Sequence, residues 1–323
     1  EEIADRILDG KLLFYVGDHC PTFAESYNIL TANCSSQSPM VHLTEADDAA
    51  IYFSSGTTGF PKAILHNHES LTHACKAEQN HHSISHEDVF LCIPPLYHTG
   101  AKMHWFGSFL EGGKAVLLKG TKPKYILDAV SQEKCTVVWL LVPWAQDILD
   151  AVDRGEIRLE DYELSQWRLM HIGAQPVPPS LIKRWKERFP NHQYDTNYGL
   201  SESAGPGCVH LGVGNIDKVG AIGVPGYGWQ VKIMDGGREV NRGEVGELCV
   251  KGPGLMSHRR GPPGRLALHR RYGGPGPGGL LLPRRPEEGR HHHRRRKPLP
   301  RPDRGLYPGL PAGQRRRGHR PAG

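Results

Sequence analysis

The stretch FSSGTTGFPK, residues 53–62, packs two glycines, four hydroxyl side chains, a proline and a lysine into ten residues. It overlaps a short apolar run, AAIYFSS (49–55), that reads as a strand. A loop of this kind after a strand can wrap a phosphate. Gly56 and Gly59 let the backbone approach closely and adopt positive φ, so successive N–H groups converge on an anion. Ser54, Ser55, Thr57 and Thr58 add hydroxyl donors, and Lys62 adds a cation. The spacing G-x-x-G-x-P-K differs from the G-x-x-x-x-G-K-[ST] of a P-loop. A flexible surface loop with a chance lysine is the plainer alternative, and the loop alone leaves both open.

Outward from the loop, apolar periodicity alternates between strand and helix. ESLTHACKAEQ (69–79) reads as a helix and DVFLCIPP (88–95) as a strand. HTGAKMHWFGSFLEGG (98–113) is a helix stopped at its two glycines, and KAVLLKG (114–120) is a strand. TKPKYILDAVSQEK (121–134) is a helix with Thr121 as N-cap and Pro123 in its first turn. CTVVWLLVP (135–143) is a buried strand. PWAQDILDAVDRG (143–155), WRLMHIG (167–173), PPSLIKRWKERFP (178–190) and HQYDTNYG (192–199) continue helix, strand, helix, strand. This order predicts an α/β fold, its mostly parallel sheets covered by helices, over residues 1–199. VGAIGVP (219–225), WQVKIMDGGREV (229–240) and VGELCVKGP (245–253) predict a small β-rich subdomain over residues 200–257.

Residues 258–323 are different in kind. They hold 17 Arg, 13 Gly and 12 Pro, and no Val, Ile, Phe, Trp, Met, Thr, Ser or Asn. Such a composition cannot bury enough apolar surface to offset the entropy of ordering, so a disordered basic tail is expected. Its 18 basic and 3 acidic side chains give +15. Against +6 for the whole chain, residues 1–257 carry −9. Seven cysteines with no C-x-x-C spacing fit reduced thiols in a cytoplasmic protein. No apolar run is long enough for a membrane span, and no sequence feature sets the oligomeric state.

Three further stretches bear on the loop. PPLYHTGA (94–101) places His98 beside an aromatic at a strand end. YGLSE (198–202) gathers an aromatic, a glycine, a hydroxyl and a carboxylate at another strand end, where ligands of open α/β sheets collect. GELCVKGP (246–253) is a strand and turn with no chemistry of its own. Each alone is an ordinary loop or strand. In this order and at these separations they resemble the adenylate-forming superfamily, of the acyl-CoA synthetase type. Its signature [ST]-[ST]-G-[ST]-T-G-x-P-K is matched at residues 54–62, with Asn67 and His68 closing the block. PLYHTGA matches a second block. GAQP (173–176) resembles the adenine-contacting turn, with Ile172 where a glycine is commoner. YGLSE matches Y-G-x-[ST]-E.

The resemblance implies ATP, Mg²⁺, coenzyme A and a small-molecule carboxylic acid as substrates and cofactors. By position, it gives Ser54, Ser55, Gly56, Thr57, Thr58, Gly59 and Lys62 to the β- and γ-phosphates. It gives Glu202 to Mg²⁺, Ser201 to the α-phosphate, and Tyr198 and Gly199 with Gly173 and Ala174 to adenine. His98 falls near the substrate carboxylate. The implied reaction forms an acyl-adenylate and then a thioester.

The family's later blocks, a Y-x-T-G-D and a D-R-x-K-D hinge followed by a lysine-bearing domain, are not readable in residues 258–323. On the same resemblance, the segment that opens the family's fold is expected to be missing ahead of Glu1. The tail reads as the same gene out of frame. With permitted codons, Leu266 to Tyr272 shifted by one base spells WLYTGD, and continuing to Arg304 gives a stretch containing VDRKKD. On this reading His291, His292 and His293 are misread codons, not a metal site. The polypeptide as it stands is then expected to be an inactive fragment. A non-catalytic nucleotide-binding remnant is one alternative. Nucleic-acid binding through the basic tail is another, though no specific nucleic acid is expected. In the helix over residues 99–110, Met103, Trp105 and Phe106 either line the acid pocket or face the core.

Overall fold

The computed structural model describes residues 12–54 and 62–256, and the backbone of Leu266–Gly273 and Leu282–Pro283. Two short strands, β1 (Phe14–Tyr15) and β2 (Glu25–Ser26), pair in parallel, and helix α1 (Tyr27–Ala32) follows. Next comes an antiparallel hairpin of β3 (Asp48–Ser54) and β4 (Lys62–Asn67), in which Ser54 lies opposite Lys62. Strand β4 escapes the sequence reading because KAILHN is short and carries only a weak alternation.

Helix α2 (His68–His82) starts where the Asn67 side chain accepts from the Ser70 N–H, with Glu69 in the first turn. Both features favour a helix N-terminus. The central sheet is parallel, in the order β6 (Lys114–Leu117), β5 (Val89–Cys92), β7 (Val137–Leu141), β8 (Leu169–Gly173), β9 (Gln193–Asp195). Its connections are helices: α3 (Thr99–Leu110), α4 (Pro123–Glu133), α5 (Val142–Asp153) and α6 (Pro179–Arg188). Pro123 takes the first helical position of α4, with Lys122 and not Thr121 as N-cap and no side-chain capping bond. A proline there needs no N–H partner, so the helix starts without a hydroxyl cap.

Strand periodicity sorts the two faces of this sheet. Val138, Leu140, Met170 and Ile172 pack with α4, α5 and α6 in the main core. Val137, Trp139 and Leu169 pack on the other side with Phe90, Cys92 and Ala101, and Leu169 shares its face with His171. The VVWLL run of β7 is almost wholly buried, as expected for a parallel strand covered on both faces. Asp88 and Arg168 clamp the amino ends of the central strands through two bonds of 2.8 and 2.9 Å, and Thr136 Oγ1 donates to Asp88 at 2.6 Å.

The stretch HQYDTNYG supplies two strands in two sheets: β9, and β10 (Asn197–Leu200) of a three-stranded antiparallel sheet with β11 (Gly205–His210) and β12 (Val224–Pro225). A further antiparallel sheet contains β13 (Gln230–Asp235), β14 (Arg238–Glu239) and β15 (Val245–Lys251). The sequence reading gives no regular element to residues 258–323. The structure adds β16 (Leu266–Gly273) and β17 (Leu282–Pro283) to this last sheet, with β16 antiparallel to β15. Backbone pairing along an open strand edge asks little of side-chain composition. The rest of that stretch, with its histidine run, lies outside the described residues.

Candidate active site

In the parallel sheet the strand order reverses between β5 and β7, and a crevice forms at such a point beyond the carboxyl ends of the strands. His98 stands just past β5, as the N-cap residue of α3 with extended backbone and no capping bond. Its ring centroid is 5.7 Å from that of Trp139 on β7. The residue is exposed at its surface, and partial desolvation of the imidazole beside Trp139 lowers its pKa, which favours the neutral ring.

Gly173 closes β8 and is buried. A Cβ there would stand 3.3 Å from Asn197 Oδ1 and 3.8 Å from Trp139 Nε1. The indole N–H of Trp139 is buried and has no hydrogen-bond partner. Ala174 follows with φ of 66°, a left-handed turn that leaves it exposed at the strand end.

Tyr198 is buried in β10, opposite Val209. Gly199 is required by packing, because a Cβ there would overlap the carbonyl oxygen of Gly205. Gly100 is equally constrained, since its Cβ would overlap the Trp139 ring. These two glycines let α3, β7 and the hairpin of β10 and β11 close on one another.

Ser201 and Glu202 occupy the short 3-10 turn between β10 and β11, both partly exposed. The turn is held from both sides. His66 Nε2 donates to the Ser201 carbonyl at 2.7 Å, and the Met256 N–H donates to the Glu202 carbonyl at 2.8 Å. Burial lowers the pKa of His66, partly offset by the bond to Ser201 and by the Glu202 charge, so His66 is a neutral tether here. His66 belongs to β4, the strand that begins with Lys62. The tether therefore joins the hairpin bearing Ser54 and Lys62 to the turn bearing Ser201 and Glu202, an arrangement that motif matching does not reveal. Lys62 is exposed and Ser54 half-buried. Ser55, Gly56, Thr57, Thr58 and Gly59 lie outside the described residues.

Met103 resolves to the core, 0% exposed with its sulfur 3.8 Å from Cys75 Sγ. Trp105 and Phe106 stack at 5.1 Å on the outer side of α3, where Phe106 is exposed. Among the described residues no helix is long and apolar enough to cross a membrane.

Solved structures define the class of fold. A luciferase-like enzyme from the mealworm Zophobas morio superposes with a TM-score of 0.74 at 22% identity, covering 87% of this chain and 68% of its own. The N-terminal domain of FACL13 from Mycobacterium tuberculosis gives 0.72 at 19% identity, covering 87% and 71%. This is the fold of adenylate-forming enzymes. The family model described as AMP-binding enzyme matches residues 14–258, and the chain belongs to that family. A feruloyl-CoA synthase from Amycolatopsis is 30% identical over 260 residues, 76% of this chain and 51% of the relative. A 4-coumarate–CoA ligase from Pinus taeda is 27% identical over 266 residues, 79% of this chain and 49% of the relative. The chain thus spans about half the length of these curated relatives.

Proposed function

We propose that this chain carries the nucleotide-binding part of an ATP-dependent acid–thiol ligase. The observation behind the proposal is the His66 bond to the Ser201 carbonyl, which couples the Lys62 hairpin to the Ser201–Glu202 turn. In the proposed reaction a carboxylate oxygen of the acid attacks the α-phosphorus of ATP. The bond from that phosphorus to the bridging oxygen breaks, and pyrophosphate leaves with the electron pair. The thiol of coenzyme A then gives up its proton to solvent and its sulfur attacks the acyl carbon; the acyl–oxygen bond breaks, and AMP leaves with the electron pair.

Charge accumulates on phosphate oxygens, so positioned cations and hydroxyl donors are the main requirement. Lys62, Ser54 and the hydroxyls of residues 55, 57 and 58 hold the β- and γ-phosphates. Ser201 donates to the α-phosphate. Tyr198 and Gly199 bound the adenine space along with Gly173, whose missing Cβ leaves room beside Asn197. His98 donates its ring N–H to the acid's carboxylate and orients it near the unpartnered Trp139 N–H. The donor chemistry at Glu202 fits Mg²⁺: it is a partly exposed carboxylate, and phosphate oxygens would complete an all-oxygen shell. When bound, Mg²⁺ neutralises phosphate charge.

Several relatives carry names of aryl-CoA ligases, which makes hydroxycinnamate-like acids the first panel to try. Residues 258–323 are read as out of frame, so the present polypeptide is expected to bind ATP with little turnover. Sequencing codons 250–323 checks the frame. ATP–pyrophosphate exchange with a panel of carboxylic acids tests the reaction. Acid-dependent exchange in a frame-restored chain is the expected result. ATP binding with no exchange there would reduce the protein to a nucleotide-binding remnant.

A further inference from the structure

Behind the crevice lies a group of side chains that the reaction above does not use. Glu78 and His82 on α2, His104 on α3, His171 on β8, Asp195 on β9 and His210 on β11 are each at most 6% exposed. Six ionisable groups in one buried nest are costly unless paired or bound to a metal.

Hydrogen bonds account for part of the nest. His82 Nε2 lies 2.7 Å from Asp195 Oδ2, and His210 Nδ1 lies 3.4 Å from the same oxygen. Asp195 Oδ1 accepts from the Gly212 N–H at 2.7 Å, and Glu78 Oε1 accepts from Asn197 Nδ2 at 2.9 Å. Glu78 Oε2, His82 Nδ1, His104 Nε2, His210 Nε2 and both ring nitrogens of His171 remain buried with no hydrogen-bond partner. Each such atom costs about 1–3 kcal/mol.

The unpartnered histidine nitrogens converge on the Glu78 carboxylate. His82 Nδ1 is 3.6 Å from Glu78 Oε2, and His210 Nε2 is 3.6 Å from Glu78 Oε1. One ligand atom from each of these three residues lies within 4.8 Å of the others. Metal–ligand bonds of about 2.0–2.1 Å at tetrahedral angles put neighbouring ligand atoms about 3.4 Å apart. Gly207, with φ of 110°, keeps the space open, since a Cβ there would stand 2.9 Å from Glu78 Oε1 and 3.3 Å from His210 Nε2.

We propose that Glu78, His82 and His210 form a buried site for a divalent transition-metal ion of the zinc class. Asp195 is the outer partner. It holds the second nitrogen of both histidines, the arrangement that fixes a ligating imidazole's tautomer and direction. His104 Nε2, 3.4 Å from Glu78 Oε2, is the side chain placed to complete the shell. Two imidazoles with a carboxylate select zinc over magnesium or calcium. A divalent charge also balances Glu78 and Asp195, so the imidazoles can stay neutral. The ion would brace α2 against β11. Through Glu78 and Asn197 it would also brace the strand that carries Tyr198.

The test uses the full chain with His291→Ala, His292→Ala and His293→Ala, which removes the histidine run as a competing chelator. The expected result is one equivalent of zinc per chain by elemental analysis after dialysis. Cobalt replacing the zinc should give the intense visible absorption of a four-coordinate ion. Stripping with a chelator should lower Tm by several degrees, and zinc but not magnesium should restore it. Glu78→Gln and His210→Ala should abolish the cobalt spectrum. The chelator experiment on the parent decides the matter if those variants do not fold. Substoichiometric metal with a Tm indifferent to zinc and chelator would overturn the proposal, leaving a metal-free hydrogen-bonded nest. Full metal retention in a folded His210→Ala variant would overturn it equally.

Discussion

The crevice and the histidine nest share elements but treat polar groups in opposite ways. At the crevice, Lys62, Ser201 and Glu202 are exposed or partly exposed, and backbone contacts fix the loops while the side chains stay available. In the nest, Asp195, His82 and His210 are buried, and Asp195 holds one nitrogen of each histidine while their other nitrogens have no hydrogen-bond partner. Burial tends to raise the Asp195 carboxyl, but hydrogen bonds from His210 and His82 hold it well below the usual carboxylate range. A site that must meet a charged ligand keeps its groups solvated until the ligand comes. A site that holds the fold together has to satisfy its buried polar groups from within, by hydrogen bonds or by a bound ion.

The sharpest way to break this comparison is Asp195→Ala. It leaves two buried imidazoles without their acceptor, and a loss of about 3–5 kcal/mol in unfolding free energy is expected. Urea denaturation measures it, and a loss below about 1 kcal/mol would show that the nest is not under this constraint. At the crevice, Lys62→Ala or Glu202→Ala should leave stability nearly unchanged. Each should slow adenylation about 10²-fold or more in a frame-restored chain, read by pyrophosphate exchange. An unchanged rate would remove the phosphate-loop assignment.

A third test stands outside both regions. His192 packs among Trp167, Trp185 and Phe189, and burial, with Lys186 nearby, pushes its pKa down to about 3. The unfolded chain binds a proton at about pH 6.5 and the folded chain does not. Stability from this residue is therefore present above about pH 6.5 and is lost as pH falls toward about 3, by at most about 1.4 kcal/mol per pH unit. The slope measured between pH 6 and 4 should be shallower in His192→Leu. The smallest effect belongs to an exposed pair on α4, Lys124 with Asp128 at 2.9 Å. Lys124→Ala should leave the urea midpoint unchanged within error, because solvent screens an exposed pair.

The crevice was legible in the sequence because each of its parts is local. A glycine-rich loop, a His after a strand and YGLSE each span a few neighbouring residues. The parallel sheet was legible for the same reason, through runs such as VVWLL. The hairpin strand Lys62–Asn67 was not, because six residues between a loop and a helix carry too little pattern. Neither was the division of HQYDTNYG, whose break at Thr196 shows only when β9 and β10 join different sheets. The nest was wholly illegible. Its members come from five elements brought together by topology, and only the i, i+4 spacing of Glu78 and His82 and the chain's 19 histidines hint at it. His66 was passed over beside the motif residue His68, although it is His66 that reaches Ser201.

The most direct test of the central claim is equilibrium binding of Mg²⁺–ATP to the 323-residue chain, by calorimetry, beside Lys62→Ala and Glu202→Ala. The account predicts saturable binding to the parent, weakened about tenfold or more by either substitution, since a contact to a charged group contributes about 1.5–3 kcal/mol. No binding by a folded parent, or equal binding by all three proteins, would contradict it.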